Sequence, residues 1–198
     1  MYGIYDVAQQ VMIASFVTPM TVKSNRPFYG SDSLSLKRRV SMMSAQRWEI
    51  ETKLMPINNN QLFVHSVVNN YAKDVNIIMP QVYGNSLVQG RATGMCSTTA
   101  ARVVGDDTVP ITVTGKIPSG TFIKFGNHNK IYMTVTDIEN NGSIQIYPTL
   151  RANVPSGTTV SHTMTIGTFR YDYDSVTGMS FSDGIVMDQG TVTFVESL

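Results

Sequence analysis

Residues 46–54 alternate between apolar and charged side chains over nearly their whole length. A period of two residues is typical of a β-strand that buries one face and exposes the other. The stretch therefore predicts a half-buried strand, and Pro56 ends it. The side chains on its inward face are those of Trp48, Ile50, Thr52 and Leu54.

A helix and a second strand are predicted to follow. The asparagines at 58–60 offer side-chain oxygens to the free N–H groups at the start of a helix. Apolar residues recur at helical spacing between Leu62 and Tyr71, before polar residues break the pattern. Residues 75–79 form the next apolar stretch, which ends at Pro80. The predicted order is strand, helix, strand.

Composition limits the classes of function that the chain can have. Its 198 residues can bury a core without cross-links, as one domain or as two small ones. Cys96 is the only cysteine, so no intrachain disulfide can form and an oxidising compartment gains no support. Fifteen Lys and Arg nearly balance fourteen Asp and Glu, which argues against unaided binding to nucleic acid or an anionic membrane. Charged residues make up only 15% of the chain, against roughly 25% in ordinary domains, which favours assembly into a larger particle.

The first part of the chain carries weaker signals. Residues 1–13 fit either a short strand or a helical turn, and both alternatives remain open. There is no signal-peptide pattern and the apolar run at 11–17 is too short to cross a bilayer, so a soluble, unprocessed protein is expected. Residues 15–33 are rich in Pro, Gly and Ser, which predicts a long loop or an arm that reaches a neighbouring subunit. Alternation resumes at 34–43 as a further strand.

The composition changes after Pro80, and we place a boundary near Gly84. Residues 84–108 hold four glycines among small polar residues. Asn141-Gly142 is a strong hairpin signal between two of the strands that follow. Those strands are predicted at 109–114, 121–125, 131–137, 143–147 and 158–165. Five short strands without a helix between them predict a small, partly open barrel of the OB or a related type.

The end of the chain returns to long alternation. Aromatic and charged side chains alternate at 169–174, a turn is expected at 177–178 and a hairpin at 183–184, and Phe194 lies in a closing strand. These strands have no partners in the barrel, so we expect them to complete the first sheet. The predicted organisation is a discontinuous domain, 1–84 with 166–198, and an inserted barrel domain, 85–165.

No group of residues has the spacing of a metal site. His65, His128 and His162 lie far apart, and Cys96 has no second cysteine to complete a zinc site. His65 is expected at a partly exposed edge of the helix, and His128 in a turn. We therefore expect no metal and no cofactor.

Catalytic patterns are equally weak. Cys96 would need a neighbouring base to act as a nucleophile, and a lone thiol is usually a buried, small apolar side chain. No Gly-x-Ser-x-Gly elbow is present. Asp106-Asp107 and Asp172 with Asp174 are paired carboxylates, and the first pair lies beside a glycine as in an ordinary turn. We assign no catalytic or cofactor-binding residues and expect no enzymatic activity.

Two sets of basic residues allow competing interpretations. Residues 37–39 lie in an alternating strand, where they would pair with Glu49 and Glu51 or contact a neighbouring subunit. On the barrel, aromatic and lysine side chains would either form its core or hold single-stranded nucleic acid, as in some OB folds. This second set is Phe122, Phe125, Tyr132 and Tyr147 with Lys116, Lys124 and Lys130. Glycan binding by the same barrel is a further alternative.

Several segments resemble the distal tail proteins of long-tailed bacteriophages, in their two-domain form. The resemblance extends over most of the chain from Ser33 onward. It is carried by residues 44–48, 77–81, 120–125, His128, 130–132, 146–150 and 196–198.

The resemblance implies a mainly β protein, with a tail-tube-like β-sandwich flanked by one α-helix and an inserted OB-like β-barrel. It also implies a virion protein, assembled in the host cytoplasm, that forms a homo-hexameric ring at the distal end of the tail. Its partners would be the tail tube protein and the tail-tip or baseplate hub proteins, with side-fibre proteins, collar proteins or host-surface glycan meeting the barrel. Neither a membrane nor sequence-specific nucleic acid is expected as a partner. The alternative function is a free-standing OB-type module for single-stranded nucleic acid or glycan.

Overall fold

The computed structural model describes residues 2–32, 38–42, 45–56, 73–81, 94–172, 180–182, 185–188 and 190–198. Within these residues the chain is mainly β, and no helix is long and apolar enough to cross a membrane. Its strands are β1 Gly3–Asp6, β2 Val11–Asn25, β3 Phe28–Asp32, β4 Arg38–Met42, β5 Arg47–Pro56, β6 Val75–Ile78, β7 Cys96–Thr98, β8 Thr108–Thr112, β9 Lys116–Ile117, β10 Phe122–Phe125, β11 Ile131–Thr134, β12 Ile138–Glu139, β13 Gly142–Tyr147, β14 Thr159–Ser161, β15 Ile166–Tyr171, β16 Ser180–Ser182, β17 Ile185–Asp188 and β18 Thr191–Glu196.

Six strands drawn from both halves of the chain close into one barrel, here called the first barrel. Their order is β1, β2, β5, β18, β15 and β6, and each neighbouring pair is antiparallel. β1 closes the sheet because it pairs with β2 on one side and with β6 on the other. The predicted inward face of β5 is confirmed, since Trp48, Ile50, Thr52 and Leu54 are all buried.

The middle of the chain closes into a smaller barrel, here called the second barrel. Its strand order is β10, β11, β13, β8, β7 and β14, and β14 returns to pair with β10. A small β-barrel in this part of the chain agrees with the sequence prediction, but it closes with six strands where five strands in a partly open barrel were predicted. The sequence did not reveal β7, because three residues are too few to display a period.

Two details of the predicted first domain are not seen. The helix between Leu62 and Tyr71 falls on residues 57–72, which lie outside the described residues. The sandwich would need two facing layers, whereas the described strands close on themselves. Alternation indicates which face of a strand is buried but not how strongly the sheet curves, so it does not separate a sandwich from a barrel.

The segment predicted at 15–33 as a long loop or an arm is mostly strand up to residue 32, and residue 33 lies outside the described residues. β2 continues to Asn25, and β3 follows after two residues. Pro19 is tolerated within β2 because the register against β5 shifts between Val17 and Thr21. For residues 1–13, where two alternatives remained open, the structure forms strands β1 and the start of β2.

Three short two-stranded ladders lie beside the barrels: β3–β4, β9–β12 and β16–β17. β16 and β17 pair across residues 183–184, as the hairpin signal predicted, while the turn at 177–178 lies outside the described residues. The Asn141-Gly142 hairpin is more elaborate than expected. β11 does pair with β13, but the connection between them contains the short strand β12. Asn140, which follows β12, adopts the left-handed φ of 60°.

Candidate functional site

Lys130 and Glu196 form a buried ion pair where the two barrels meet. Lys130 directly precedes β11 of the second barrel, and Glu196 is the last residue of β18 in the first. Their side chains are 2% and 0% exposed. Lys130 Nζ also donates to the side-chain oxygen of Gln46 at 2.6 Å and to its carbonyl oxygen at 3.1 Å. All three N–H groups of the ammonium are therefore used by acceptors beside or within the first barrel.

The Glu196 carboxylate also binds the backbone of both barrels. Its Oε1 accepts a hydrogen bond from the Ile131 N–H at 2.8 Å, and its Oε2 accepts one from the Trp48 N–H at 3.1 Å. Hydrogen bonds to a charged group are stronger than those between neutral groups. One side chain thus joins β18, β5 and β11.

The environment of Lys130 is costly for a cation. Burial lowers the pKa of Lys130, and the charge and hydrogen bond of Glu196 oppose that shift. Arg151 and Arg47 lower the pKa slightly further by repulsion. The ammonium is tolerated in this dry site because acceptors surround it.

Trp48 of β5 provides a second link between the barrels. Its indole N–H donates to the carbonyl oxygen of Ile131 at 2.9 Å. Its ring meets Phe122 and Tyr147 edge-on, with centroids 5.1 Å and 6.1 Å away. Phe122 and Ile131 belong to second-barrel strands but pack within the hydrophobic core of the first barrel. The two barrels therefore share a continuous core.

Gln81, shortly after β6, provides a third link. Its Nε2 donates to the Phe122 carbonyl oxygen, and the Phe122 N–H donates to its Oε1, both at 3.2 Å. The Thr165 hydroxyl donates to the same carbonyl oxygen at 2.6 Å. The Gln81 amide thereby satisfies the buried backbone at the start of β10, as a neighbouring strand would.

An apolar cleft of about 490 Å³ opens beside these links. The hydroxyl groups of Ser24 and Tyr147, two of its lining residues, lie 3.0 Å apart. Its other lining residues are Met20, Val22, Trp48, Pro80, Gln81, Phe122 and Met133. None of these side chains is charged, so the cleft offers apolar contact rather than acid–base chemistry.

The β3–β4 hairpin is the second surface of interest. It forms a two-stranded sheet of its own, in which Phe28 pairs with Met42 and Asp32 with Arg38. Phe28 and Tyr29 are 58% and 68% exposed. Successive side chains of a strand point to opposite faces, so this short sheet exposes one aromatic ring on each of its two faces. Aromatic residues are enriched in protein–protein interfaces, which makes both faces candidate contact surfaces.

His128 lies in a turn, as predicted. Its ring stacks on Phe125, and its Nε2 lies 2.8 Å from the Tyr132 hydroxyl. Burial lowers the pKa of His128, and the positive charge of Lys124 lowers it further. These contacts hold the imidazole in place as a neutral packing group.

The other predicted histidine and cysteine positions lie apart from His128. His162 Nε2 is 3.1 Å from the carbonyl oxygen of Gly94. Cys96 is buried, and burial raises the pKa of its thiol to about 11. His65 lies outside the described residues. Among the described residues no three His, Cys, Asp or Glu side chains come together as a metal site.

Of the predicted carboxylate pairs, Asp106 with Asp107 lies within the described residues. Asp106 accepts a hydrogen bond from the Val103 N–H at 3.3 Å, and Asp107 accepts one from the Thr108 hydroxyl at 2.9 Å. Both bonds are local contacts within a turn. Asp172 is exposed, and Asp174 lies outside the described residues.

The aromatic and lysine set of the binding alternative is largely occupied within the protein. Lys130 is held by Glu196, and Lys116 pairs with Asp137 at 2.8 Å. Three of the four rings are 3% exposed or less: those of Phe122, Phe125 and Tyr132. A base needs an open ring face on which to stack, and these three rings offer none.

The side chains of residues 37–39 lie outside the described residues. Their predicted partners have other contacts. Glu49 accepts a hydrogen bond from Asn25 Nδ2 at 2.5 Å, and Glu51 pairs with Lys23 at 2.8 Å.

The sequence reasoning missed Glu196, Gln46 and Gln81 as junction residues. A usable signal exists in β18, where Val192, Phe194 and Glu196 share one face and all are buried. A carboxylate on an otherwise apolar strand face predicts a buried cation or donor partner.

No protein-family model matches the chain, and no curated protein is significantly similar to it.

Proposed function

We propose that the chain is a structural virion protein that forms a ring at the distal end of a bacteriophage tail and joins the tail tube to the tail tip. The observation that carries this proposal is the β3–β4 hairpin with its exposed pair, Phe28 and Tyr29. The two rings lie on opposite faces of the hairpin, and covering either ring by a neighbouring subunit buries apolar area and so favours association. In this proposal the hairpin is the arm that contacts the neighbouring subunit.

The finer fold in this proposal follows the resemblance to distal tail proteins. The first barrel is the tail-tube-like part, with a flanking helix, and the second barrel is the OB-like part that faces outward. A closed antiparallel sheet with its longest strands in β2 and β5 supports the first assignment. The small size of the second barrel supports the second assignment, although its six strands exceed the five of an OB fold.

The joined barrels also support a connecting role. A ring subunit that links two structures has to keep its two parts in a fixed relation under load. The shared core and the links made by Lys130, Trp48 and Gln81 meet that requirement. The proposed partners are further copies of this chain in a hexameric ring, the tail tube protein and the tail-tip or baseplate hub proteins.

Mass measurements on the arm variant test the proposal. We expect the purified protein to have a mass several times 21.8 kDa, or to gain that state when tail proteins are added. The double variant Phe28→Ser with Tyr29→Ser should shift towards the monomer. Met95→Ser is the matched control, because Met95 is 88% exposed and directly precedes β7 of the second barrel rather than belonging to the β3–β4 hairpin.

A wild-type protein that stays monomeric and is absent from tails would overturn the ring proposal. Binding of a labelled oligonucleotide by that monomer at low salt would favour the OB-type module instead.

A further inference from the structure

We propose that Lys130, Glu196 and Gln46 form an orientation latch that sets the angle between the two barrels. The latch is independent of ring formation, because all its contacts lie within one chain. It differs from the apolar part of the junction in that its bonds have direction.

Within the described residues, the Lys130 ammonium is bonded only to acceptors that lie on the first-barrel side of the junction. Its ammonium group comes from the second barrel, and its three acceptor contacts come from Gln46 and Glu196 on the first-barrel side. Rotation of one barrel against the other would break these bonds together. It would also leave a cation that is 2% exposed without a partner, which is among the costliest defects in a protein interior.

Glu196 also fixes the backbone of the two barrels relative to each other. Its two oxygens bind the N–H groups of Ile131 and Trp48, one in each barrel. A backbone N–H cannot change rotamer to follow a moving partner. The carboxylate therefore defines the position of β11 relative to β5.

The apolar contacts alone would not define one orientation. Phe122, Ile131 and Met133 pack against the first-barrel core, and such contacts depend mainly on buried area. The hydrogen bonds from Trp48 to Ile131 and from Gln81 to Phe122 do have direction, but they join neutral groups and leave no buried charge behind when they break. Replacing a buried ion pair by apolar groups often leaves stability unchanged. A fully satisfied polar network instead selects one arrangement among several of similar packing.

The other ion pairs in the described part of the chain are more exposed to solvent than the pair of Lys130 with Glu196. Lys23 with Glu51, Lys116 with Asp137, and Arg170 with Asp74 all have side chains that are 36% exposed or more. Solvent screens such pairs, so they define orientation weakly. Lys116→Met is accordingly a matched control for Lys130→Met.

A distance measurement between the barrels tests the latch. Spin labels are placed at Met55→Cys in β5 and Val104→Cys beside the second barrel, both exposed, in a Cys96→Ala background. Labelled chains are diluted into excess unlabelled protein, so that pairs between subunits do not contribute. Double electron–electron resonance then gives the distribution of the distance within one chain.

We expect a narrow distance distribution for the wild type. For Lys130→Met with Glu196 intact we expect a distribution at least about two-fold broader, as for a released hinge. If that single variant fails to fold, the double variant Lys130→Met with Glu196→Met removes both charges and keeps the volume. It should fold and still give the broad distribution, while Lys116→Met should match the wild type. A narrow, wild-type distribution in a folded Lys130→Met or in the double variant would overturn the latch, whether or not the protein forms rings.

Discussion

The indole N–H of Trp48 donates a hydrogen bond to the carbonyl oxygen of Ile131 at 2.9 Å, and the two residues belong to different barrels. Both side chains are buried, at 3% and 0% exposure. Contacts between separately folded units are usually wetter and more polar than this. The junction therefore resembles the interior of one body.

Replacing Trp48 tests the strength of that bond. Trp48→Phe keeps an aromatic ring but removes the donor to Ile131 and leaves a cavity, so we expect a loss of about 2–4 kcal/mol in the free energy of unfolding. Urea unfolding followed by circular dichroism measures it, because Trp48 is the only tryptophan and its fluorescence disappears with it. Tyr147→Phe is the control, since its hydroxyl contact with Ser24 is exposed and should matter less. Equal stability of Trp48→Phe and wild type would contradict the role of the bond.

Gly167 of β15 lies against the side chain of Ile131, which belongs to the second barrel. A Cβ atom at this position would overlap Cδ1 of Ile131 and approach Cε2 of Phe169 to 2.7 Å. Gly167→Ala should therefore cost about 1–3 kcal/mol of stability through overpacking. Thermal or urea unfolding provides the measurement.

Ile131→Val provides the second half of that test, because it removes the Cδ1 atom that the new methyl group would meet. The double variant should lose less stability than the sum of the two single variants. If the stability losses of the two single variants simply added, the cost of Gly167→Ala would not arise from contact with Ile131.

The Cys96 thiol should be unreactive in the folded protein. Burial raises its pKa to about 11, from a reference of 9.0, so the thiolate is scarce near neutral pH. Labelling by a disulfide reagent at pH 8 should be slow in buffer and fast in denaturant. A native labelling rate equal to the denatured rate would contradict the burial of Cys96.

The same shift has a consequence for stability. Above pH 9 the unfolded chain releases the Cys96 proton first, so stability should fall as the pH rises from 9 towards 11. Cys96→Ala should lack this component of the pH dependence when both proteins are unfolded in urea at pH 8 and pH 10.

His128 should contribute a loss of stability in acid. Burial and the charge of Lys124 hold the pKa of His128 below the 6.5 of an unperturbed histidine. As the pH falls through 6.5, the unfolded chain takes up the proton first, so stability decreases until the folded pKa is passed. Unfolding of wild type and His128→Gln between pH 7 and pH 5 measures the difference, and an identical decline in both would show that other groups cause it.

The parts of the fold that sequence predicted are those carried by local pattern. The face of β5 that contains Trp48 and Ile50 could be predicted because alternation is a property of neighbouring residues. The strand character of β2 could not, because Pro19 is accommodated by a register shift that depends on β5. Lys130 and Gln46 lie 84 residues apart, and nothing local in the sequence pairs them. A buried partner for Glu196 could have been predicted, because this carboxylate shares the apolar face of β18.

Electron microscopy of the negatively stained protein, alone and in purified tails, tests the central claim most directly. We predict closed rings of identical subunits, each with the second barrel as an outward bead, and the same ring at the distal end of the tail. Separate 21.8 kDa particles at every concentration, together with tails that lack the chain, would contradict the account.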